Sequence, residues 1–428
     1  MTAPVTSRER CSWCLYDFGN SAFSTIIVTV AFSIYFTEVV APEGGLTLWG
    51  RGLAISMVLV ALCSPYLGAL ADYSGRKRPF LLAFTGLCIL FTALLYFVKE
   101  GEWVKGLLLF IVANFSFNAA LPFYDAFLKE LAPADRMGRL SGYGWATGYM
   151  GGLLSLLLVA PLLKNGFEAG GAAGFRAAFL MTALFFLIFS LPLVLFLKER
   201  TPIRPVDLSA SYFQTGITRL YKTLREIRPF KELIKYYAAF FLYNEGINTI
   251  IAFSSIFALQ VLHLSPAELI TYFMVTQIAA AVGTWAFAPL TDSLGAKKTI
   301  SLTLIVWILI VFWAYRVETL AHFYGLGMVA GGILGATQSA SRTLLAHLTP
   351  AQKGAEFFGF FTLTGKLSAS LGPLFYGEIV RLTGSQRLAT LSLNIFFISG
   401  LLLLQTMNER EGIETAGRWK EEETSTPP

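Results

Sequence analysis

The chain has 428 residues, of which 55% are hydrophobic and only 14% charged, and its mean hydropathy is +0.61. A soluble domain carries about 25% charged residues, so these figures exclude an ordinary soluble protein. The net charge of +6 does not call for nucleic acid, because the basic residues follow the pattern expected of membrane topology.

A bilayer core needs about 20 apolar residues per spanning helix. Apolar runs between charged or Pro/Gly breaks predict twelve spans, near 14–39, 47–71, 79–98, 104–131, 139–164, 174–197, 232–262, 267–292, 298–316, 319–347, 355–380 and 385–407. The first run is too long for the core of a cleavable signal and lacks a clean small-residue cleavage site. It reads as the first spanning helix. An even number of spans puts both termini on one side. The loops after spans 2, 4, 6, 8 and 10 and the two terminal segments hold most of the 33 Lys and Arg residues. That asymmetry assigns them to the cytoplasm.

The longest polar stretch, 198–231, carries Leu220, Tyr221, Leu224 and Ile227 at helical spacing in a basic segment. It is expected to link two halves and to lie on the inner membrane surface as an amphipathic helix. The tail after Arg410 is Glu-rich, ends in Pro-Pro, and is expected to be disordered. The predicted fold class is therefore all-α integral membrane. It has an N-terminal six-helix half (1–197), a linker (198–231), a C-terminal six-helix half (232–408) and a tail (409–428). Cys11 and Cys14 have C-x-x-C spacing, but no second pair and no nearby His make them a metal or redox centre. Cys63 and Cys88 sit in apolar runs and read as packing residues.

The halves repeat. Asp72 and Gly75 after span 2 match Asp292 and Gly295 after span 8. Gly142 and Thr147-Gly148 match Gly359 and Thr364-Gly365, and the same offset takes Asp125 to Arg342. Two related halves joined by a long loop, with Gly68, Asp72, Gly75, Arg76 and Lys77 in a G-x-x-x-D-x-x-G-R-K arrangement, resemble the major facilitator superfamily. Three further segments narrow the branch. L-Y-D-F-G-N-S-A-F-S-T at 15–25, F-L-Y-N-E-G-I-N-T-I at 241–250 and T-Q-S-A-S-R-T-L-L-A at 337–346 are similar to the vacuole-effluxer, autophagy-related branch. The resemblance implies secondary transport by alternating access around a midplane site, with amino-acid export as in the fungal members. The chain lacks their longer loops and looks more like a bacterial relative, which implies a bacterial inner membrane.

Ionisable groups inside spans are costly and usually face a partner or a wet cavity. The resemblance implies that spans 1, 4, 7 and 10 line the cavity. Polar residues concentrate there on single faces: Asp17, Asn20, Ser21 and Ser24; Asn114, Asn118 and Asp125; Asn244, Glu245 and Asn248; Gln338 and Arg342. They either line a hydrated path or act as interhelical hydrogen-bond glue. Lys366 lies roughly 16 Å into span 11, near the membrane centre. It is expected either to pair with Glu245, at similar depth, or to face a substrate carboxylate. Asp125 and Arg342 are expected to close an inner gate. In the loop motif, Gly75 permits the turn, Asp72 bonds to the start of span 11 or pairs with Arg76, and Glu356 offers a partner to Arg76 or Arg78.

There is no phosphate-binding G-x-x-x-x-G-K-[ST] loop. The three His residues form no metal cluster, and no catalytic set is suggested. The expectation is a transporter and not an enzyme, monomeric, without cofactor or metal. Its partners are the lipid bilayer and a small zwitterion, moved outward. Energy comes from protons, through Asp17 or Glu245, or from the substrate gradient. The rivals are a drug or other metabolite exporter and a transporter-like receptor that binds without transport.

Overall fold

The computed structural model describes residues 4–163, 171–200, 221, 228–264 and 266–425. Most of the expected amphipathic linker, including Leu220, Leu224 and Ile227, lies outside the described residues. The chain runs through α1 (Ser7–Val40), α2 (Gly45–Ser74), α3 (Lys77–Phe97), α4 (Trp103–Leu131), α5 (Ala134–Leu163) and α6 (Ala172–Phe196). It continues through α7 (Lys231–Gln260), α8 (Pro266–Leu294), α9 (Ala296–Arg316), α10 (Leu320–Leu348), α11 (Gly354–Thr383), α12 (Gln386–Thr406) and α13 (Glu409–Ser425).

Ten of these helices are long and apolar enough to cross a membrane: α1–α6, α8–α10 and α12. The apolar runs of the sequence predict twelve. Helices α7 and α11 have the length, 30 residues each, but carry Glu245 and Lys366 among other polar residues.

Helix α1 begins earlier than its apolar run because a capping box starts it. Thr6 Oγ1 accepts from the Glu9 amide at 3.3 Å, and Glu9 Oε2 accepts from the Thr6 amide at 2.8 Å. Together they satisfy two otherwise unpaired donors. Within α1 the backbone widens to π-helical turns over Phe23–Val30 and Phe36–Val40, a feature that hydropathy does not reveal. Helix α2 ends at Gly75, whose φ of +65° lies in the left-handed region, which glycine adopts without steric cost.

Helix pairs in the first six recur six places later. α1 packs on α5 and α6, α2 on α4, and α3 on α4 and α6. Likewise α7 packs on α11 and α12, α8 on α10, and α9 on α10 and α12. Between the two groups the main contacts are α2 with α11 and α5 with α8, themselves a repeat-related pair. The α2–α11 crossing is backbone-close from both sides. A Cβ on Gly68 would stand 2.2 Å from the Ala355 carbonyl oxygen, and one on Gly359 would stand 2.5 Å from that of Ser64. Small residues permit this approach. Large apolar side chains such as Leu62, Leu195, Leu309 and Leu374 are exposed around the outside. In water they would form an aggregating surface; against lipid they are at home.

The tail corrects our expectation. Instead of disorder, Glu409–Ser425 forms α13. Gly412, Ala416 and Trp419 fall at i, i+4 and i+7, so a Glu-rich composition hides one apolar face. Gly412 abuts Leu348, Ala416 is buried, and Trp419 lies against Phe230 with ring centroids 5.4 Å apart. The Lys353 ammonium sits 4.7 Å from the Trp419 ring centroid, and Lys231 pairs with Glu411 at 2.7 Å.

Candidate functional site

A dense polar centre lies where α1, α4, α5 and α10 meet, near the helix ends that carry both termini. Arg342 of α10 is its hub, with its side chain only 4% exposed. Its Nη1 donates to Asp125 Oδ1 of α4 at 3.0 Å and to Asp17 Oδ2 of α1 at 3.5 Å. Its Nε and Nη2 donate to Ser141 of α5, to Oγ at 2.9 Å and to the carbonyl oxygen at 2.7 Å. The guanidinium lies 4.7 Å from the Trp13 ring centroid, with Tyr124 and Trp145 at 5.8 and 5.6 Å. A planar fork with five donors suits this many-sided role.

Local sequence builds this pocket. Trp13 and Tyr124 stack with centroids 4.5 Å apart and exchange bonds: indole Nε1 to the Tyr124 carbonyl, and phenol OH to the Trp13 carbonyl, each at 3.0 Å. Gly144 makes room. A Cβ there would meet Trp13 at 2.8 Å, Asp17 Oδ2 at 2.9 Å and Arg342 Nη2 at 3.0 Å. One guanidinium faces two carboxylates, so with both ionised the trio carries one negative charge in excess. Binding of one proton neutralises it.

Two backbone caps tie α2 to α11 and α8 to α5 at the same end. Asp72, at the end of α2, accepts from the amides of Ala355 and Glu356 at 3.2 and 2.8 Å, at the start of α11. Asp292, at the end of α8, accepts from Gly138 at 2.7 Å and from Arg139 at 3.2 Å, at the start of α5. A carboxylate at a helix N-terminus meets unpaired N–H donors and the positive end of the helix dipole. Lys129 also donates to the Thr349 carbonyl oxygen. Of the two partners considered for Asp72, the structure chooses α11. Arg76 is exposed, and the Arg78 guanidinium donates to the Val194 carbonyl oxygen at 2.6 Å. The side-chain pairing of either with Glu356 is replaced by contact through the Glu356 amide.

The remaining expected residues divide. Asn20 donates to Asp17 Oδ1 at 3.3 Å and joins the Arg342 centre. Asn114 turns to α2, donating to Ser56 Oγ at 2.7 Å, and Asn118 folds back on Asn114 at 2.8 Å. Both are buried; Asn114 joins α4 to α2, and Asn118 bonds within α4 to Asn114. Asn244 donates to Ser368 Oγ of α11 at 2.6 Å. The expected Glu245–Lys366 ion pair is absent. Glu245 Oε1 accepts instead from the Gly372 amide, because α11 presents backbone at close quarters. A Cβ on Gly372 would stand 1.7 Å from Thr249 Oγ1 and 2.5 Å from Glu245 Oε1. Lys366 is half-buried and forms no hydrogen bond or ion pair among the described residues. Asn248 and Gln338 are also half-buried.

Sequence reasoning missed Trp13, Tyr124, Ser141 and Gly144 around Arg342. The glycine spacing of α5 is visible in the sequence, but it reads as packing. Gly152 leaves space beside Thr25 Oγ1 and Gln277 Nε2, where a Cβ would stand 2.9 and 3.4 Å away. This adds α8 to the polar interior.

Among solved structures, the human organic anion transporter MFSD10 superposes with a TM-score of 0.74 at 16% identity, covering 93% of this chain and 100% of that one. The major facilitator superfamily proton:xylose symporter XylE does so with a TM-score of 0.74 at 14% identity, covering 96% and 98%. These likenesses define the fold as that of a major facilitator transporter. The family model described as vacuole effluxer Atg22-like matches residues 52–417, and the chain belongs to that family. It is 28% identical over 419 residues to YxiO of Bacillus subtilis (strain 168), described as an uncharacterized MFS-type transporter, across 96% of this chain and 97% of that one. It is 26% identical over 476 residues to autophagy-related protein 22 of Yarrowia lipolytica, across 90% and 79%. The chain is an integral membrane transporter and not an enzyme.

Proposed function

We propose that this chain is a secondary transporter of twelve spanning helices in two six-helix halves, which rock about a midplane site and export a small zwitterion such as an amino acid. The observation that carries the reading is the Arg342 centre. One buried cation from the second half is held by Asp17, Asp125 and Ser141 from the first. Rocking the halves apart at this end requires breaking these bonds together with the caps at Asp72 and Asp292. Positive-inside charge puts this end, with both termini, in the cytoplasm of a bacterial inner membrane. The arrangement then represents the inward-closed state.

Coupling follows from the charge count. A proton taken by Asp17 or Asp125 weakens the hold on Arg342 and favours opening. Lys366, without a counter-ion among the described residues, supplies a cation for a substrate carboxylate. Glu245 is held by the α11 backbone at Gly372. Counterflow in proteoliposomes tests the reading. Labelled amino acid enters preloaded vesicles, uptake changes with an imposed pH gradient, and Lys366→Ala loses it. Folded wild type that shows no amino-acid counterflow removes this substrate class.

A second reading rests on the absence of the Glu245–Lys366 pair. A cation with no neutralising carboxylate among the described residues suits a small organic anion as well as a zwitterion. Monocarboxylates in the same counterflow assay separate the two.

A further inference from the structure

We propose that a groove between the first turns of α1 and α5 seats the phosphate head group of an anionic phospholipid. The groove encloses about 670 Å³, and three cations stand around it: Arg10 from α1, with Arg136 and Arg139 from the start of α5. Each guanidinium is engaged through one nitrogen. Arg10 Nε donates to the Leu131 carbonyl oxygen at 3.1 Å, Arg139 Nε meets Asp292 Oδ2 at 3.3 Å, and Arg136 Nε stands 3.7 Å from Asp135 Oδ2. Among the described residues, the other N–H donors of all three remain for a ligand. Phosphate is the group that several guanidinium forks lining one groove match.

The walls decide between a lipid and a soluble phosphate. Away from the arginines the lining includes Leu15, Leu140, Tyr143, Cys11 and Cys14, with Ala132 and Pro133 just before α5. It reaches Thr147, which lies roughly 10 Å along α5 from Leu140 at about 1.5 Å per residue. There Thr147 Oγ1 donates to the Cys14 carbonyl oxygen at 3.0 Å and pins the two helices together. A soluble anion has no use for an apolar wall of that length, whereas an acyl chain below a head group does. This also gives the Cys11/Cys14 pair a place, as weakly polar packing surface against the chain. The proposal rests on the membrane orientation given above, which puts these arginines at the anionic leaflet surface. It does not depend on any transported substrate.

Native mass spectrometry of the full-length protein in detergent, offered equal phosphatidylglycerol and phosphatidylcholine, tests it. Wild type is expected to retain phosphatidylglycerol preferentially. Arg10→Gln with Arg136→Gln is expected to cut that preference about fivefold or more, whereas Lys298→Gln, an exposed cation elsewhere at the same end, leaves it unchanged. Arg136→Gln alone removes only an exposed side chain and is expected to give a partial loss, so the result does not hinge on the double variant folding. Equal retention of the two lipids by wild type, or equal preference in wild type and both arginine variants, overturns the proposal. Displacement of the lipid by millimolar inorganic phosphate also overturns it, and assigns the groove to a soluble anion.

Discussion

Asp125 and Arg342 stand 217 positions apart, the offset of the sequence repeat, and form an ion pair at 3.0 Å. The pair is not isolated, since Asp17 and Ser141 share the same guanidinium. Removing one partner of a buried pair typically costs about 3–5 kcal/mol. Arg342→Asp and Asp125→Arg should therefore each lower thermal stability and abolish counterflow. The double exchange should recover only part of both, because the carboxylate introduced by Arg342→Asp would face Asp17 and forgo the bonds to Ser141. A double variant no better than either single one rules out direct pairing.

Lys366→Ala should leave a folded protein in the membrane, since the lysine holds no described partner, while counterflow falls to background. Glu245→Gln should also leave a folded protein, but with counterflow retained. Its Oε1 role toward the Gly372 amide is retained by an amide oxygen, so the fold survives. Size-exclusion profiles and uptake measured side by side check both. Normal transport in Lys366→Ala would exclude the lysine from the substrate site.

Gly144→Ala should impair transport more than its size suggests. The added methyl would meet Trp13, Asp17 and Arg342 at 2.8–3.0 Å, and overpacking of this kind costs roughly 1–3 kcal/mol. The expected readout is a lowered melting temperature together with slower counterflow. Gly377→Ala, where a Cβ meets nothing within 4 Å, serves as the control.

Asp72→Asn and Asp292→Asn should each loosen the closed end. A hydrogen bond to a charged group contributes about 1.5–3 kcal/mol, so either change shifts the closed–open balance by roughly tenfold or more. Labelling of a cysteine introduced at Ser339, a buried residue of α10 whose carbonyl oxygen accepts from Ser141 Oγ at 2.9 Å, should speed up in each variant and further in the double. Unchanged labelling would show that these caps do not hold the end shut.

Truncation before Glu409 should lower the melting temperature, because it removes Trp419 from Phe230 and Lys353 and Glu411 from Lys231. A tail without packing would leave stability unchanged on removal.

Periodicity, charge placement and the repeated motifs determined by themselves that the chain is an apolar helical membrane protein with an internal sequence repeat. They also determined that Asp125 and Arg342 occupy equivalent places. These signals are local or translational: a hydrophobic run has a length, a polar face has a spacing, and a repeat has an offset. Partner choice is neither. Asn114 and Asp125 share one face of α4, yet Asn114 meets Ser56 while Asp125 meets Arg342. Glu245 found a backbone amide, which leaves no mark in a pattern of side chains. The α13 stripe of Gly412, Ala416 and Trp419 was masked by its glutamates, because burial depends on what lies opposite and not on average composition. Only the tertiary structure brought the ends of α2 and α8 onto the starts of α11 and α5. The reason is geometric: a carboxylate satisfies whichever donors the packing presents, and packing brings together residues more than 150 positions apart.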